Sequence, residues 1–280
     1  MPGETDNKHN NTVTTTTATK TENDDKQHEE QLQLLVETTL AISNLSIVVN
    51  KNEDADAVNV TATIPAIIAC DAGYGFPSEP RPRKEKILAV AKQIVNFLKW
   101  QRQHQQHDVA VVKLLGCNEA DQKAIKTRME ELWKGQLPEN MEFSLQSMEQ
   151  FATGTTHHGA VYLSPDAETS LDPNKPAPSI VVVGMLIDRR VQLNRSLQRA
   201  ECLGIVPARL QLENFNIDNH EPLNVDVVME TMQQWWWNGT GRESYMNATE
   251  QAIQHHCERH PNRPLHTATT QQQIEDLMEG

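Results

Sequence analysis

Asp188 is the residue of this sequence best placed for chemistry, because it follows an apolar run that ends in glycine. Residues 180–183 read Ile-Val-Val-Val, and Gly184 comes next. A run this continuously apolar is typical of a strand buried on both faces of a parallel sheet, and parallel sheets bind ligands where such strands end. We therefore consider Asp188 a candidate catalytic or positioning group. The alternative is an aspartate that caps the turn after the strand.

Basic side chains gather around this aspartate and along one predicted helix. The chain has a net charge of −13, but its acidic residues are concentrated at the two ends, and residues 81–102 contain seven basic residues and one acidic residue. Local charge decides whether phosphates are attracted, so this pattern predicts contacts with a polyanion. The candidates are Lys84, Lys92, Lys99, Arg102, Arg189, Arg190 and Arg195. The alternative is that these side chains are solvated on a charged surface and bind no phosphate.

Strand patterns and helix patterns alternate in the part of the chain that must position these residues. The predicted strands lie within 64–70, 109–115, 141–145, 160–167, 179–190 and 204–212. The predicted helices are 83–104, 119–134, a short one that ends near 151, 193–203, 224–237 and 244–258. Such alternation predicts an α/β fold with a mostly parallel sheet flanked by helices. Gly204 is placed to cap the helix before it.

The ends of the chain differ from its middle. Residues 1–30 contain almost no large apolar side chains and are expected to be disordered. The apolar spacing of residues 31–49 predicts a short helix. We expect an acidic N-terminal tail over 1–58, one folded domain over 59–262 and a tail over 263–280. The acidic tails are candidates for contact with a protein partner.

Nothing in the sequence predicts a membrane span or a disulfide framework. No apolar run approaches the ~20 residues of a spanning helix, and the N-terminus lacks the pattern of a secretion signal. The four cysteines show no paired spacing, which is typical of a reduced intracellular protein. The cytoplasm, the nucleus or both are the expected location, with the mitochondrion as an alternative.

Two further clusters have both a structural and a functional interpretation. The three tryptophans at 235–237 could stack on bases, but a helix end with one buried and two partly exposed rings is the favoured interpretation. His255, His256, Cys257 and His260 suggest a metal site, yet one local cluster without a distant second pair is weak evidence for zinc. No metal is expected.

Several short motifs occur in a defined order along the chain. They occupy residues 161–167, 183–189, 196–200, 208–212 and 223–226. The first half adds Cys70-Asp71 at a strand end and a helix that contains Lys92, Gln93 and Arg102. Together these motifs resemble the eukaryotic tRNA guanine-9 N1-methyltransferases of the SPOUT superfamily, and the resemblance covers roughly residues 64–260.

The resemblance implies a fold whose C-terminal part threads a trefoil knot, a rare exception to unthreaded topology. It also implies a monomer that binds S-adenosylmethionine in the knot and methylates N1 of the purine at tRNA position 9, with guanine as the main target. Asp188 matches the family's proposed general base, and Gln93 joins the expected tRNA contacts. The residues that match the family's cofactor loops are Leu163, Ser164, Gly184, Met185, Arg189, Arg190, Leu210, Leu212, Leu223, Asn224 and Val225.

The chain departs from the family's usual motifs at several places. Met185 stands where a second glycine is usual, and Gln211 stands where proline is usual. The second aspartate after the first strand is absent from 71–75, and Val-Asp-Val at 225–227 replaces Val-Asn-Gln/His. These changes leave open whether guanine, adenine or both are accepted. They also leave a rival function open, a catalytically weak SPOUT-fold protein that holds tRNA in a ribonuclease P-like assembly.

Overall fold

The computed structural model describes residues 46–50, 59–63, 66–104, 109–155, 159–187, 192–212, 215, 217 and 223–259. The chain divides into two compact units, Met1–Ile64 and Pro65–Gly280. In the first unit, β1 (Ser46–Asn50) pairs antiparallel with β2 (Asn59–Thr63). The helix predicted over residues 31–49 is wrong at its end, because the β-branched run at 47–49 favours a strand. Residues 31–45 lie outside the described residues.

A six-stranded sheet forms the centre of the second unit. Its strands are β3 (Ile67–Asp71), β4 (Val111–Leu115), β5 (Met141–Phe143), β6 (Val161–Leu163), β7 (Ile180–Gly184) and β8 (Val206–Ala208). They lie in the order β5-β4-β3-β7-β6-β8, and every neighbouring pair is parallel. All six strands therefore end at the same edge of the sheet, where parallel sheets bind their ligands.

Helices connect these strands in the described part of the chain. They are α1 (Pro80–Gln103), α2 (Glu119–Trp133), α3 (Met148–Thr155), α4 (Arg195–Leu203), α5 (Val225–Asn238) and α6 (Arg242–Arg259). Each lies within a few residues of a predicted helix. Gly204 caps α4 at a φ of 66°, a left-handed conformation that glycine adopts without a Cβ penalty. None of the helices described is long and apolar enough to cross a membrane.

Buried side chains cover both faces of the sheet. Along β7, Val181 and Val183 belong to one apolar cluster and Val182 belongs to another, as the alternation of a strand requires. The larger cluster includes side chains of α1, α2, α5 and α6, and the smaller one includes side chains of α3 and α4. The predicted α/β fold with helices on a parallel sheet is confirmed, whereas the knot stays a prediction.

The tryptophans of α5 join this helix to its surroundings. Trp237 stacks on Trp100 of α1, with ring centroids 5.3 Å apart. Trp236 is partly exposed, and its Nε1 donates to the carbonyl oxygen of Pro178 at 2.9 Å. Trp235 is buried. The prediction of a helix end with one buried and two partly exposed rings is therefore confirmed.

Two buried carboxylates of α5 hold the end of α6. The side chains of Asp226 and Glu230 are fully buried, and Arg259 lies 3.8 Å from the first and 2.5 Å from the second. Asn96 Nδ2 also donates to Asp226 at 3.2 Å, and His255 Nδ1 lies 3.5 Å from Glu230 Oε2. Burial raises the pKa of Glu230 to about 7, although Arg259 opposes that rise.

Stability is expected to fall as pH rises through the range in which Glu230 titrates. Because its folded pKa is raised from 4.5 to about 7, the folded state binds this proton more tightly than the unfolded state does, and the resulting stabilisation is lost between those values. Glutamine does not titrate, so Glu230→Gln abolishes this proton binding. The difference in free energy of unfolding between wild type and variant should therefore change across this pH range. Urea unfolding at pH 4.5, 6 and 7.5 measures it. A constant difference would contradict the prediction.

Candidate functional site

Three of the predicted cofactor segments meet at one edge of the sheet. Gly184 is the last residue of β7 and Met185 follows it, Leu163 is the last residue of β6 and Ser164 follows it, and Leu210 lies two residues beyond β8. Since β7, β6 and β8 are parallel neighbours, their carboxyl ends lie side by side. The chain thus brings together segments that are far apart in sequence.

The side chains of these segments are mostly buried. Leu163, Met185, Leu210 and Leu212 belong to the larger apolar cluster. Gln211 is held through its main chain, since its N–H donates to Tyr245 Oη of α6 at 2.7 Å and that hydroxyl lies 3.3 Å from the Gln211 carbonyl oxygen. The fourth predicted segment, Leu223, Asn224 and Val225, leads into α5, and Leu223 and Val225 pack against the same cluster.

Met185 lies in the core at the end of β7. Only 1% of its surface is exposed, and its main-chain N–H donates to the carbonyl oxygen of Asp71 at 2.8 Å. This bond continues the ladder between β7 and β3 by one residue beyond Gly184. The larger side chain that replaces the family's usual glycine is therefore accommodated by apolar packing.

Asp188, Arg189 and Arg190 lie outside the described residues, but both flanks of their segment are anchored. Before it, Met185 is bonded to β3. After it, the N–H of Asn194 donates to Asp166 Oδ2 at 2.7 Å, and Ser196 Oγ lies 2.8 Å from Ser164 Oγ. The segment that contains Asp188 thus begins and ends at the carboxyl edge of β6 and β7.

A buried aspartate that the sequence did not single out lies beneath this edge. Asp71 ends β3 and is fully buried. Its Oδ2 accepts hydrogen bonds from Arg199 Nε at 3.1 Å and Tyr162 Oη at 3.0 Å, and its Oδ1 accepts from the N–H of Gly73 at 2.8 Å. Arg199 also donates to Glu149 at 3.1 Å. The signal available in the sequence was an aspartate at a strand end directly before a glycine-rich turn.

Two tyrosines extend this group toward the surface. Tyr74 Oη lies 2.7 Å from Tyr162 Oη, and the guanidinium of Arg195 lies 5.4 Å from the centroid of the Tyr74 ring. Burial raises the pKa of Tyr74 to about 12 and the pKa of Tyr162 further above its usual value. Both hydroxyl groups therefore keep their protons at neutral pH.

Gly184 is in close contact with both tyrosines. A Cβ at this position would lie 2.8 Å from Tyr74 Oη and 3.1 Å from Tyr162 Oη, so Gly184→Ala should lower the free energy of unfolding by about 1–3 kcal/mol through overpacking. Urea unfolding measures the change. Gly154→Ala is the matched control, since nothing lies within 4 Å of a Cβ there. Equal effects of the two substitutions would contradict the prediction.

The predicted tRNA contacts do not all have the same surroundings. Lys84, Lys92 and Lys99 are exposed on α1, as a phosphate-binding surface requires. Arg102 is exposed and lies over the ring of Trp133, 5.6 Å from its centroid. Arg195 is partly buried against Tyr74. Gln93 has a structural contact: its Oε1 accepts from the main-chain N–H of Asp226 at 3.0 Å, at the start of α5.

The histidine cluster near the end of α6 forms no metal site within the described residues, where no group of three potential ligands is found. His256 Nδ1 lies 3.3 Å from Asn224 Nδ2. Cys257 is exposed, and His260 lies outside the described residues. The ring of His255 lies near that of His104, with centroids 5.5 Å apart and the planes tilted by 42°, so its surroundings are those of a packing residue.

Comparisons with known proteins identify the family and agree with the fold. A family model described as tRNA (guanine(9)-N(1))-methyltransferase TRM10/TRM10A matches residues 5–251. The crystal structure of full-length spTrm10 in complex with SAH is 19% identical, covers 68% of this chain and 96% of that one, and has a TM-score of 0.52. The structure of spTrm10(74) is 19% identical, covers 68% and 95%, and has a TM-score of 0.50.

A more distant likeness is to the dual-specific Trm10 from Thermococcus kodakaraensis, at 13% identity over 67% of this chain and 99% of that one, with a TM-score of 0.45. No curated protein sequence matches the chain. The likeness to the spTrm10 structures shows the fold, and the family match covers residues 5–251 of the sequence. The chain belongs to the TRM10/TRM10A family of tRNA methyltransferases.

Proposed function

We propose that this protein methylates N1 of guanine at position 9 of tRNA, with S-adenosylmethionine as the methyl donor. The observation that carries the proposal is the convergence of three family-matched loops, after β6, β7 and β8, at the carboxyl edge of one parallel sheet. The same edge receives both flanks of the segment that contains Asp188. The predicted cofactor loops and both flanks of the Asp188 segment thus lie at the edge at which α/β sheets bind ligands.

The residues at this edge fit an adenosine-containing cofactor. Leu163, Leu210 and Leu212, whose side chains belong to the larger apolar cluster, would supply apolar walls and the loops would supply main-chain groups, a combination suited to a flat heteroaromatic ring with a few polar atoms. Leu223, Asn224 and Val225 would complete the pocket. S-adenosylmethionine supplies an electrophilic methyl group when bound.

The protein's own residues must hold the purine and assist the departure of the proton from its N1. Guanine N1 bears a hydrogen atom that has to leave when a methyl group is attached there. Asp188 is assigned to this proton, either as the base that receives it or as the group that orients the base. A carboxylate general base contributes about 10²–10⁴-fold to a rate. Burial of Asp188 beside Leu186 and Ile187 would favour the base role, because desolvation raises the pKa of a carboxyl group, whereas Arg189 and Arg190 facing it would lower that pKa and favour the orienting role.

Transfer of a labelled methyl group from S-adenosylmethionine to tRNA transcripts tests the proposal. Transcripts with guanine, adenine or uridine at position 9, otherwise identical, should be methylated in the order guanine, then adenine, with none on uridine. Mapping by primer extension places the methyl group. Binding of the transcripts without any transfer would instead support the rival function, a scaffold that holds tRNA during processing.

Binding to tRNA is expected to weaken steeply with salt. If Lys84, Lys92 and Lys99 contact phosphates, each contact adds about 0.7–0.9 to the slope of log affinity against log salt. The triple Lys→Gln variant should therefore reduce that slope by roughly 2, measured by filter binding between 50 and 200 mM salt. Lys175→Gln is the matched control, since this exposed lysine pairs with Asp172 and lies outside the predicted surface. A wild-type affinity that is independent of salt would contradict the phosphate contacts.

A further inference from the structure

The indole of Trp133 has an edge that reaches the surface. Trp133 is the last residue of α2, is partly buried, and packs against the larger apolar cluster. Its Nε1 is not among the buried nitrogen atoms, and within the described part of the chain this N–H donates to no group. An indole N–H usually has a partner when it is buried, so this one faces solvent. The ring is thus anchored in the core and still accessible to a ligand.

Arg102 of α1 lies against this ring and has no acidic partner. Its guanidinium carbon is 5.6 Å from the centroid of the Trp133 ring, and its side chain is exposed. Among the residues that the structure describes, no carboxylate pairs with it, whereas Arg83 of the same helix is bound to Asp121 at 2.5 Å. Lys134, the exposed cap of α2, places a second cation next to Trp133 in the chain. Arg102 therefore keeps its charge and an exposed planar group available for a ligand.

The pair of Trp133 and Arg102 lies at the end of a row of cations on α1. Four exposed basic side chains fall within a sector of about 80° around the helix axis and extend over about 27 Å of its length. They are Lys84, Lys92, Lys99 and Arg102, and we call them the basic stripe. Contacts join α1 and α2 both near their starts, through Arg83 and Asp121, and at their ends, through Arg102 and Trp133. A polyanion that follows the basic stripe to its end therefore meets Trp133.

We propose that Trp133 and Arg102 form a stacking site for an unpaired base of the bound tRNA, while the lysines of the basic stripe contact its phosphates. The inference rests on the proposed function, since it takes tRNA as the ligand, but it does not require methyl transfer. Proteins stack unpaired RNA bases on aromatic rings and on guanidinium planes. A row of cations beside such a platform is the arrangement that binds single-stranded nucleic acid. Lysine cannot replace Arg102 in this role, because an ammonium group is a point charge without a plane.

Removing one base at a time from the tRNA tests the stacking site. Synthetic tRNAs carry an abasic nucleotide at each unpaired position in turn, position 9 excepted, and filter binding measures their affinities for wild type and for Trp133→Leu. At one position or more, the missing base should weaken binding to wild type by about 5-fold to 100-fold, the usual range for a stacked base, and binding to the variant much less. A partly unfolded preparation cannot mimic this result, because the folded fraction cancels in the ratio of two affinities for one protein. Equal losses in both proteins at every position would overturn the inference.

Arg102→Lys is the second variant, and it separates stacking from phosphate binding because it keeps the charge and loses the plane. Its affinity for intact tRNA should fall by about twofold to fivefold, with an unchanged salt slope, since counterion release depends on charge. Arg128→Lys is the matched control, because this exposed arginine of α2 is paired with Glu131. An Arg102→Lys variant that binds as tightly as wild type would overturn the stacking site. Absence of methyl transfer by wild type, with the abasic pattern intact, would instead remove the proposed function and leave this inference standing.

Discussion

Asp188→Asn is expected to lower kcat for methyl transfer by about 10²–10⁴-fold, the usual contribution of a general base. Asparagine keeps the size of the side chain and loses the ability to take a proton. Binding of tRNA should change little, since one charge among many contributes little to the total. Single-turnover rates with saturating cofactor measure the chemical step. Asp172→Asn, at an exposed aspartate in the connection between β6 and β7, is the matched control.

The pH profile separates the two roles that Asp188 can have. If it is the base, the wild-type rate rises with pH up to the pKa of Asp188 and then becomes constant, and the variant loses that dependence. If it orients the purine, the variant is slower at every pH but keeps the wild-type profile. Full activity of Asp188→Asn at all pH values would exclude both roles and would leave Asp188 as a residue that caps the turn.

Asp71→Ala is expected to lower the free energy of unfolding by about 2–4 kcal/mol. Removing one partner of a buried ion pair costs about 3–5 kcal/mol, and the lower value reflects Arg199, whose side chain remains 23% exposed. Tyr162 and the N–H of Gly73 lose their acceptor as well. Urea unfolding monitored by circular dichroism measures the change.

Glu149→Ala is the matched control for Asp71, because it removes the other carboxylate that binds Arg199. The side chain of Glu149 is 62% exposed, and exposed ion pairs contribute about 0–1 kcal/mol. The two effects should therefore differ severalfold although both carboxylates contact the same guanidinium. An Asp71 variant as stable as the Glu149 variant would show that the buried group has little effect on stability.

The elements of the fold could be predicted from local patterns, whereas their arrangement could not. The continuous apolar run of β7 and the helical spacing of α1 are visible within a short window. The strand predicted at 204–212 is shorter in the structure, where only Val206–Ala208 form β8; Pro207 has no N–H to donate and is tolerated there because β8 lies at the edge of the sheet. The order of the strands depends on pairing between segments far apart in sequence, for which no short pattern exists. The first unit was predicted least well, since a helical spacing at 31–49 ends in a β-branched run.

The candidate site likewise has one part that could be predicted from the sequence and one part that could not. Asp188 and the loops after β6, β7 and β8 were predicted from position and resemblance. The group formed by Asp71, Tyr74, Tyr162 and Arg199 was not, because its members are separated by up to 128 residues and become neighbours only when β3, β6 and α4 pack. Gln93, predicted to contact the tRNA, also has a contact that the sequence did not predict, since its Oε1 accepts a hydrogen bond from the first turn of α5. A polar side chain on a helix does not reveal from sequence alone whether its partner is a ligand or another helix.

The stacked rings of Trp100 and Trp237 have a consequence for how the protein can be observed. Two indoles 5.3 Å apart couple their electronic transitions and give a near-ultraviolet circular dichroism band that depends on their mutual orientation. One ring belongs to α1, which carries the basic surface, and the other to α5, which begins at the predicted pocket wall. The molecule thus contains a built-in optical reporter of the docking between these two helices. Binding of tRNA or cofactor that shifts either helix would be visible in solution without any added label.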